Sequence, residues 1–224
     1  MKVIGILQAR MNSTRLPGKV LMDLNGEPVL WQGYKRLLKC EELSQVVVSI
    51  GEENHGPIEE FCEYRGMAYE IGPEADLIER HFSAASTRGA DAIVRVTADE
   101  PLIDPSLVDN SVRFFKGHWP RYEYVHNWDP ECEPHGRTWP DGMDHEVISM
   151  RFLGELSLTK ECPREDYNTW VIKRKTHYKT YFMRLVGGNY GQHRLTLDTQ
   201  EDHDKLTSVL KKAGNDCTNW RAFV

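Results

Sequence analysis

Short, continuously apolar runs alternate along this chain with segments that are apolar only at helical spacing. Lys2–Gln8 is a β-branched apolar run that reads as a buried strand. A polar loop follows, Ala9–Gly18. Pro28 then suits a first helical turn, with Val29, Leu30, Tyr34, Leu37 and Leu38 on one face of a helix ending near Cys40. Gln45–Ile50 reads as a second strand, Ile58–Arg65 as a short helix closed by Gly66, and Met67–Ile71 as a third strand. Glu74–Arg88 predicts a helix stopped by Gly89. Ala92–Thr97 predicts a fourth strand, apolar apart from Arg95, and Pro105–Lys116 the next helix. Such alternation predicts an α/β fold with a doubly wound, mostly parallel, Rossmann-like sheet. Ligands bind such sheets outside the carboxyl ends of the strands.

After Gly117 the periodicity weakens. His118–Asp141 is rich in Trp, Pro, His and Tyr, which suggests ordered packing and not a linker. Asp144–Ser149 and Gln192–Leu197 read as strands. Arg151–Thr159, Arg164–Lys173 and Gln200–Lys212 read as helices, the last capped by Thr199. One domain, 1–224, with an inserted acceptor or dimerisation lobe at 118–191, accommodates this pattern.

The chain has 224 residues, 40% hydrophobic and 28% charged, with a net charge of −6. That balance excludes disorder and argues against a nucleic-acid partner. The apolar start, Val3–Leu7, is too short for a signal peptide, and no run reaches the ~18 residues of a membrane span. A cytoplasmic protein without a membrane partner is expected. The five cysteines are scattered and not in CxxC pairs, so free thiols are the expectation. His118, His126, His135 and His145 lack metal-ligand spacing.

Three segments carry candidate chemistry. In Gln8–Lys19 the cations Arg10, Arg15 and Lys19 follow the first strand among small and turn-forming residues. Backbone N–H groups and long cations are what a triphosphate needs, although a solvated basic loop has the same composition. The segment is not a Walker motif, because Gly18-Lys19 is followed by Val20. Asp99 ends the fourth strand, where a carboxylate meets a metal on a bound triphosphate. Asp104, before Pro105, reads as a helix cap instead. Asp198 ends the strand before the last helix, with Asp202 placed to complement that helix's dipole. Two carboxylates brought together there would repel each other unless a divalent cation lay between them. Two weaker segments remain open. Gly72–Arg80 is a capped helix start or a ligand contact. Asp144 and Glu146 share a strand face and serve an acceptor or an interface equally well. Lys173, Arg174 and Lys175 read as a solvated helix end.

Gln8-Ala9-Arg10-Met11-Asn12-Ser13-Thr14-Arg15-Leu16-Pro17-Gly18-Lys19-Val20-Leu21 resembles the N-terminal signature of the cytidylyltransferase family. That family includes 3-deoxy-manno-octulosonate and acylneuraminate cytidylyltransferases, and its spore-coat-polysaccharide branch is the one this chain resembles most. Thr97-Ala98-Asp99-Glu100-Pro101-Leu102-Ile103-Asp104-Pro105 resembles its GD-x-PLIDP motif, with Ala98 in place of Gly. Asp198-Thr199-Gln200-Glu201-Asp202 resembles its DTPED motif, with Gln200 in place of Pro. The resemblance implies a loop wrapping the phosphates of CTP, with Gln8, Ala9, Arg10, Asn12, Ser13, Arg15 and Lys19 at the nucleotide. Glu74, Asp76 and Thr97 would lie there too. Asp99 and Asp198 would hold Mg2+, Asp144 and Glu146 would line the acceptor pocket, and the protein would be a homodimer. Asp166 stands where the branch carries His, which sets the acceptor of this chain apart. The expected activity is transfer of CMP from CTP to a small acidic or sugar acceptor with release of pyrophosphate, with Arg10, Arg15, Lys19, Asp99 and Asp198 as catalytic residues. The alternatives are a nucleotide-sugar-dependent glycosyltransferase of similar fold and a non-catalytic nucleotide-binding protein.

Overall fold

The structure is a computed structural model that describes residues 1–132 and 137–224. His135 therefore lies outside the described residues. Seven strands form one sheet: β1 (Val3–Ala9), β2 (Gln45–Gly51), β3 (Tyr69–Gly72), β4 (Ala92–Thr97), β5 (Tyr124–His126), β6 (Glu146–Ser149) and β7 (Thr180–Phe182). Their order is β3-β2-β1-β4-β6-β5-β7. β1 to β4 pair in parallel, and β6 runs antiparallel to both its neighbours, β4 and β5. β7 closes the edge parallel to β5. The chain order reverses between β1 and β4, so the crevice outside their carboxyl ends is the switch point of the sheet.

Apolar side chains on both faces of the strands are covered by helices. Val3, Leu7, Val94 and Val96 pack beneath α1 (Val29–Leu37), α2 (Gly56–Arg65) and α4 (Pro105–His118). Ile4, Ile6, Ile93 and Ile148 face α3 (Leu77–Ser86), α5 (Met150–Leu158) and α6 (Tyr167–Ile172). A third cluster gathers Leu24, Leu102, Met143, Leu195 and Leu197 against Leu206 and Leu210 of α7 (Gln200–Ala213). The Thr199 side chain accepts from Asp202 N and Asp202 reaches back, a capping box that starts α7. Asp104 caps α4 as expected, accepting from Ser106 N at 2.8 Å. No disulfide joins the cysteines among the described residues, and no described helix is long and apolar enough to cross a membrane.

Several expectations are corrected. Gln192–Leu197 is not a strand; only a bridge between Asp141 and Arg194 forms there. Leu195 and Leu197 alternate inward as in a strand, but their N–H groups donate to Asp141 O and Asp99 O, both in loops. The helix expected over Glu74–Arg88 starts only at Leu77, because Asp76 caps it by accepting from Glu79 N at 2.9 Å. Asp144 precedes β6 and does not belong to it. Within 118–191, β5, β6 and β7 extend the same sheet. β5 and β7, of three residues each, are too short to show a period.

Candidate active site

β1 and β4 end level, Gln8 beside Thr97, and the loops that leave them form a cavity of about 250 Å3 at the switch point. Its walls include Gln8, Ala9, Arg10, Ser13, Arg15, Lys19, Thr97, Asp99 and Asp198. Thr14, Val20 and Ala98 complete it, and sequence reasoning had not singled them out as ligand contacts. The loop after β1 curls around the Met11 carbonyl, which accepts from both Ser13 N and Gly18 N at 3.0 and 3.1 Å. Gly18 sits at φ 72°, a left-handed turn suited to glycine, and starts the 3-10 turn Lys19–Leu21. That turn drives Lys19 inward.

Lys19 is only 7% exposed. Its Nζ donates to Asp99 Oδ2 at 2.7 Å, Leu197 O at 2.7 Å and Asp198 Oδ1 at 2.9 Å. All three ammonium protons are thereby committed to the protein. Lys19 was expected at phosphate; here it is the shared counter-ion of the two carboxylates. Asp99 and Asp198, distant in sequence, are brought together on one nitrogen. Leu197 N donates to Asp99 O at 2.8 Å and ties the two loops at their backbones. Asp198 also forms an ion pair with Arg15 at 2.8 Å and accepts from Arg194 at 2.6 Å. Burial alone would raise the Asp198 carboxyl, but the hydrogen bonds from Lys19 and Arg194 outweigh it and hold it below the ordinary carboxylate range. Arg10 and Arg15 leave 57% and 63% of their side chains exposed at the cavity mouth.

Three expected nucleotide ligands do not line this cavity. Asn12 pairs with Glu53 and Asn54 on the loop after β2, at 3.2 and 2.9 Å. Asp76 is spent on capping α3. Glu74 lies over Gly51, with Arg10 at 3.8 Å.

A second cavity of about 180 Å3 adjoins the first, and Thr97 belongs to both. Asp144 and Glu146 face it together with Arg95, Glu100, Trp128, Arg137 and Asn168. Arg95 donates to Glu146 at 2.9 and 3.2 Å and to Gln8 at 2.9 Å. Burial works against the charged form of Arg95, and Glu146 outweighs it and holds its pKa above the ordinary value. Arg137 pairs with Asp144 at 2.6 Å and Asp141 at 3.2 Å. Asp141 in turn holds Arg194 at 2.7 Å, so one chain of ion pairs links this cavity to Asp198. Burial pushes Asp144 up to about 7 against the pull of Arg137. Burial, then the carboxylates of Asp144, Asp99, Glu146 and Asp141, push Glu100 well above the ordinary carboxyl range. Sequence reasoning missed Arg95, Glu100 and Arg137 as site residues. The signal for Arg95 was present, since a lone cation in a buried apolar strand demands a buried partner. Of the tryptophans in the excursion, Trp119 packs on Phe115 and Trp139 on Trp220, whereas Trp128 lines the cavity.

The family model described as cytidylyltransferase matches residues 4–125, which take in β1 from its second residue, β2 to β4 and every lining residue of the first cavity except Asp198. The spore coat polysaccharide biosynthesis protein SpsF of Bacillus subtilis (strain 168) is 26% identical over 221 residues, 95% of this chain and 88% of that protein. A cytidylyltransferase structure from Leptospira borgpetersenii superposes with a TM-score of 0.86 at 34% identity, covering 94% of this chain and 87% of that one. CMP:2-keto-3-deoxy-manno-octonic acid synthetase, solved with CTP, shares the fold at a TM-score of 0.69 and 17% identity, covering 94% and 99%. The match over β1 to β4 and the near full-length similarity agree with the switch-point cavity and its basic loop: this chain belongs to the cytidylyltransferase family.

Proposed function

We propose that this protein transfers CMP from CTP to a small sugar-like acceptor and releases pyrophosphate. The observation that supports it most is the convergence of Asp99 and Asp198 on Lys19 inside a cavity whose mouth carries Arg10 and Arg15. CTP is the donor that the solved relative holds. The similarity to SpsF favours a role in surface polysaccharide synthesis. Family membership favours nucleotidyl transfer over glycosyl transfer or nucleotide binding without catalysis.

The residues fit a magnesium ion. Among the described residues no three His, Cys, Asp or Glu side chains form a metal cage. Mg2+ is ordinarily held by one or two carboxylates, with substrate phosphates and waters completing its shell. Asp99 and Asp198 are such a pair and already share a cation. When bound, the metal supplies charge stabilisation at the phosphoryl oxygens. Arg10 and Arg15 reach the leaving pyrophosphate from the mouth. The backbone N–H groups of the loop after β1 orient the triphosphate, and catalysis rests on positioning and fixed charge. Lys19, which holds both carboxylates, would lie within reach of a bound phosphate.

A thermal-shift comparison of CTP, ATP, GTP and UTP, each with Mg2+, tests the reading, since a ligand of the native state raises apparent stability. CTP is expected to give the largest shift. Equal shifts remove cytosine selectivity, and no shift with any nucleotide refutes nucleotidyl transfer.

A further inference from the structure

The segment Gly72–Arg80 reads from sequence as a helix start or a ligand contact; folded, it also builds a buried charge pair one strand away from the switch point. β2 and β3 end side by side in Gly51 and Gly72. Glu74 and Arg80 both reach into the space above Gly51, where a Cβ would lie 1.8 Å from Glu74 Oε2 and 2.7 Å from Arg80 Nη1. Gly72 lets α3 come close, since a Cβ there would lie 3.0 Å from Arg80 Cγ. Two glycines at neighbouring strand ends thus make one seat for two opposite charges.

Arg80 is fully buried in the first turn of α3. A cation there opposes the helix dipole, and burial adds to the cost. Burial lowers its pKa to about 10; Glu74 opposes that shift, and Arg10 and Arg95 add to it. Arg80 Nη1 donates to Pro73 O at 3.3 Å, whereas Nε and Nη2 have no hydrogen-bond partner. Both Glu74 oxygens are likewise buried without a hydrogen bond. Charge and not hydrogen bonding holds the pair, so the carboxylate keeps its lone pairs for a third group. That group is Arg10. Its Nη1 lies 3.8 Å from Glu74 Oε1, while the side chain lines the switch-point cavity. A guanidinium presents five N–H donors in a fixed fork. With one edge turned to Glu74, the other edge is free for an anion in the cavity.

We propose that Glu74 is a positioning residue: anchored by the charge of Arg80, it aims the Arg10 guanidinium at the phosphates of a nucleotide in the switch-point cavity. The inference rests on the proposed CTP reaction and gives Glu74 no contact with the nucleotide. Two effects of Glu74 have opposite signs. Through space, a carboxylate repels a triphosphate, so removing its charge tightens binding. Through Arg10, the carboxylate pre-orders a contact that a loose side chain must otherwise lose entropy to make, so removing it weakens binding.

Isothermal titration of CTP with Mg2+ into the full chain measures which effect wins. Glu74→Gln is expected to weaken CTP about three- to tenfold, and Arg10→Gln at least about tenfold. In the Arg10→Gln background, Glu74→Gln should change the affinity less than about twofold, because the group it aims is gone. A pair that serves only the fold shifts both backgrounds alike. If Glu74→Gln fails to fold because Arg80 has lost its counter-charge, Glu74→Gln combined with Arg80→Met removes both buried charges and takes its place. Unchanged or tighter binding on loss of Glu74, or an equal loss in both backgrounds, overturns the proposal while the CTP reading stands. No binding of CTP by the wild type overturns the CTP reading and the proposal with it.

Discussion

Replacing Lys19 with methionine keeps most of the side-chain volume and deletes one buried cation. The structure sets the magnitude. Three hydrogen bonds are lost, two of them to carboxylates at 2.7 and 2.9 Å. Breaking a buried ion pair from one side costs about 3–5 kcal/mol. Two features place Lys19→Met near the bottom of that range. Asp99 keeps 25% of its side chain exposed and can be rehydrated, and Asp198 retains Arg15 and Arg194. A loss of about 3 kcal/mol corresponds to roughly 6–12 °C in Tm for a domain of this size. The second reading is more specific. Without Lys19, Asp99 and Asp198 have lost the cation they share, so Mg2+ alone, without nucleotide, should raise the Tm of the variant more than that of the wild type. Differential scanning fluorimetry across a Mg2+ series, with Ca2+ and high NaCl as controls, measures both. A Tm unchanged within about 1 °C and an identical response to Mg2+ would show that Lys19 does not bridge the pair in solution, and the assignment of these carboxylates as a metal site would lose its support.

Asp99→Asn and Asp198→Asn should each lower kcat at least about a hundredfold while a fold assay such as near-UV circular dichroism stays native, because the lost charge acts on the developing phosphoryl charge; near-wild-type turnover in either would remove it from the metal pair. Gly142 sits at φ 101°, and a Cβ there would lie 2.6 Å from Leu195 C and 2.7 Å from Leu195 O, so Gly142→Ala should cost about 2 kcal/mol or more in denaturant unfolding. A change under about 0.5 kcal/mol would show that the Asp141–Arg194 crossing yields easily. His81 is buried against the Tyr167 hydroxyl at 3.1 Å, and burial, then Arg95 and Arg80, hold its pKa well below 6.5. Below pH 6.5 the unfolded chain binds a proton that the folded one refuses, so this residue's contribution is lost as pH falls, by up to about 1.4 kcal/mol per pH unit. His81→Gln should therefore be less destabilised than wild type on going from pH 7 to pH 5 in urea titrations, and parallel pH profiles would contradict a neutral buried His81.

Local rules sufficed where an element buries a continuous stripe over many residues. β1, β2 and β4, apolar on both faces, announce a parallel sheet, and Asp104 and Thr199 announce the helices they cap. The basic loop after β1 was legible for the same reason: its place follows from strand order, and its cations need an anion or solvent. The corrections fall where partners distant in the chain decide. Leu195 and Leu197 alternate as a strand does, yet their neighbours are two loops, and no period reveals whether a second strand lies alongside. Residue type identified Lys19 as a cation in the ligand loop, but only the folded chain places Leu197 O, Asp99 and Asp198 around its three protons. The second cavity depended most on tertiary structure. Arg95, Glu100, Arg137 and Asp144 come from three separate stretches, and each reads alone as an ordinary charge. Their burial together, with three atoms unpaired, arises only when β4, β6 and the loop before β6 close on one another. Electrostatics of that kind depends on distance and solvent exclusion, and neither is a property of residue order.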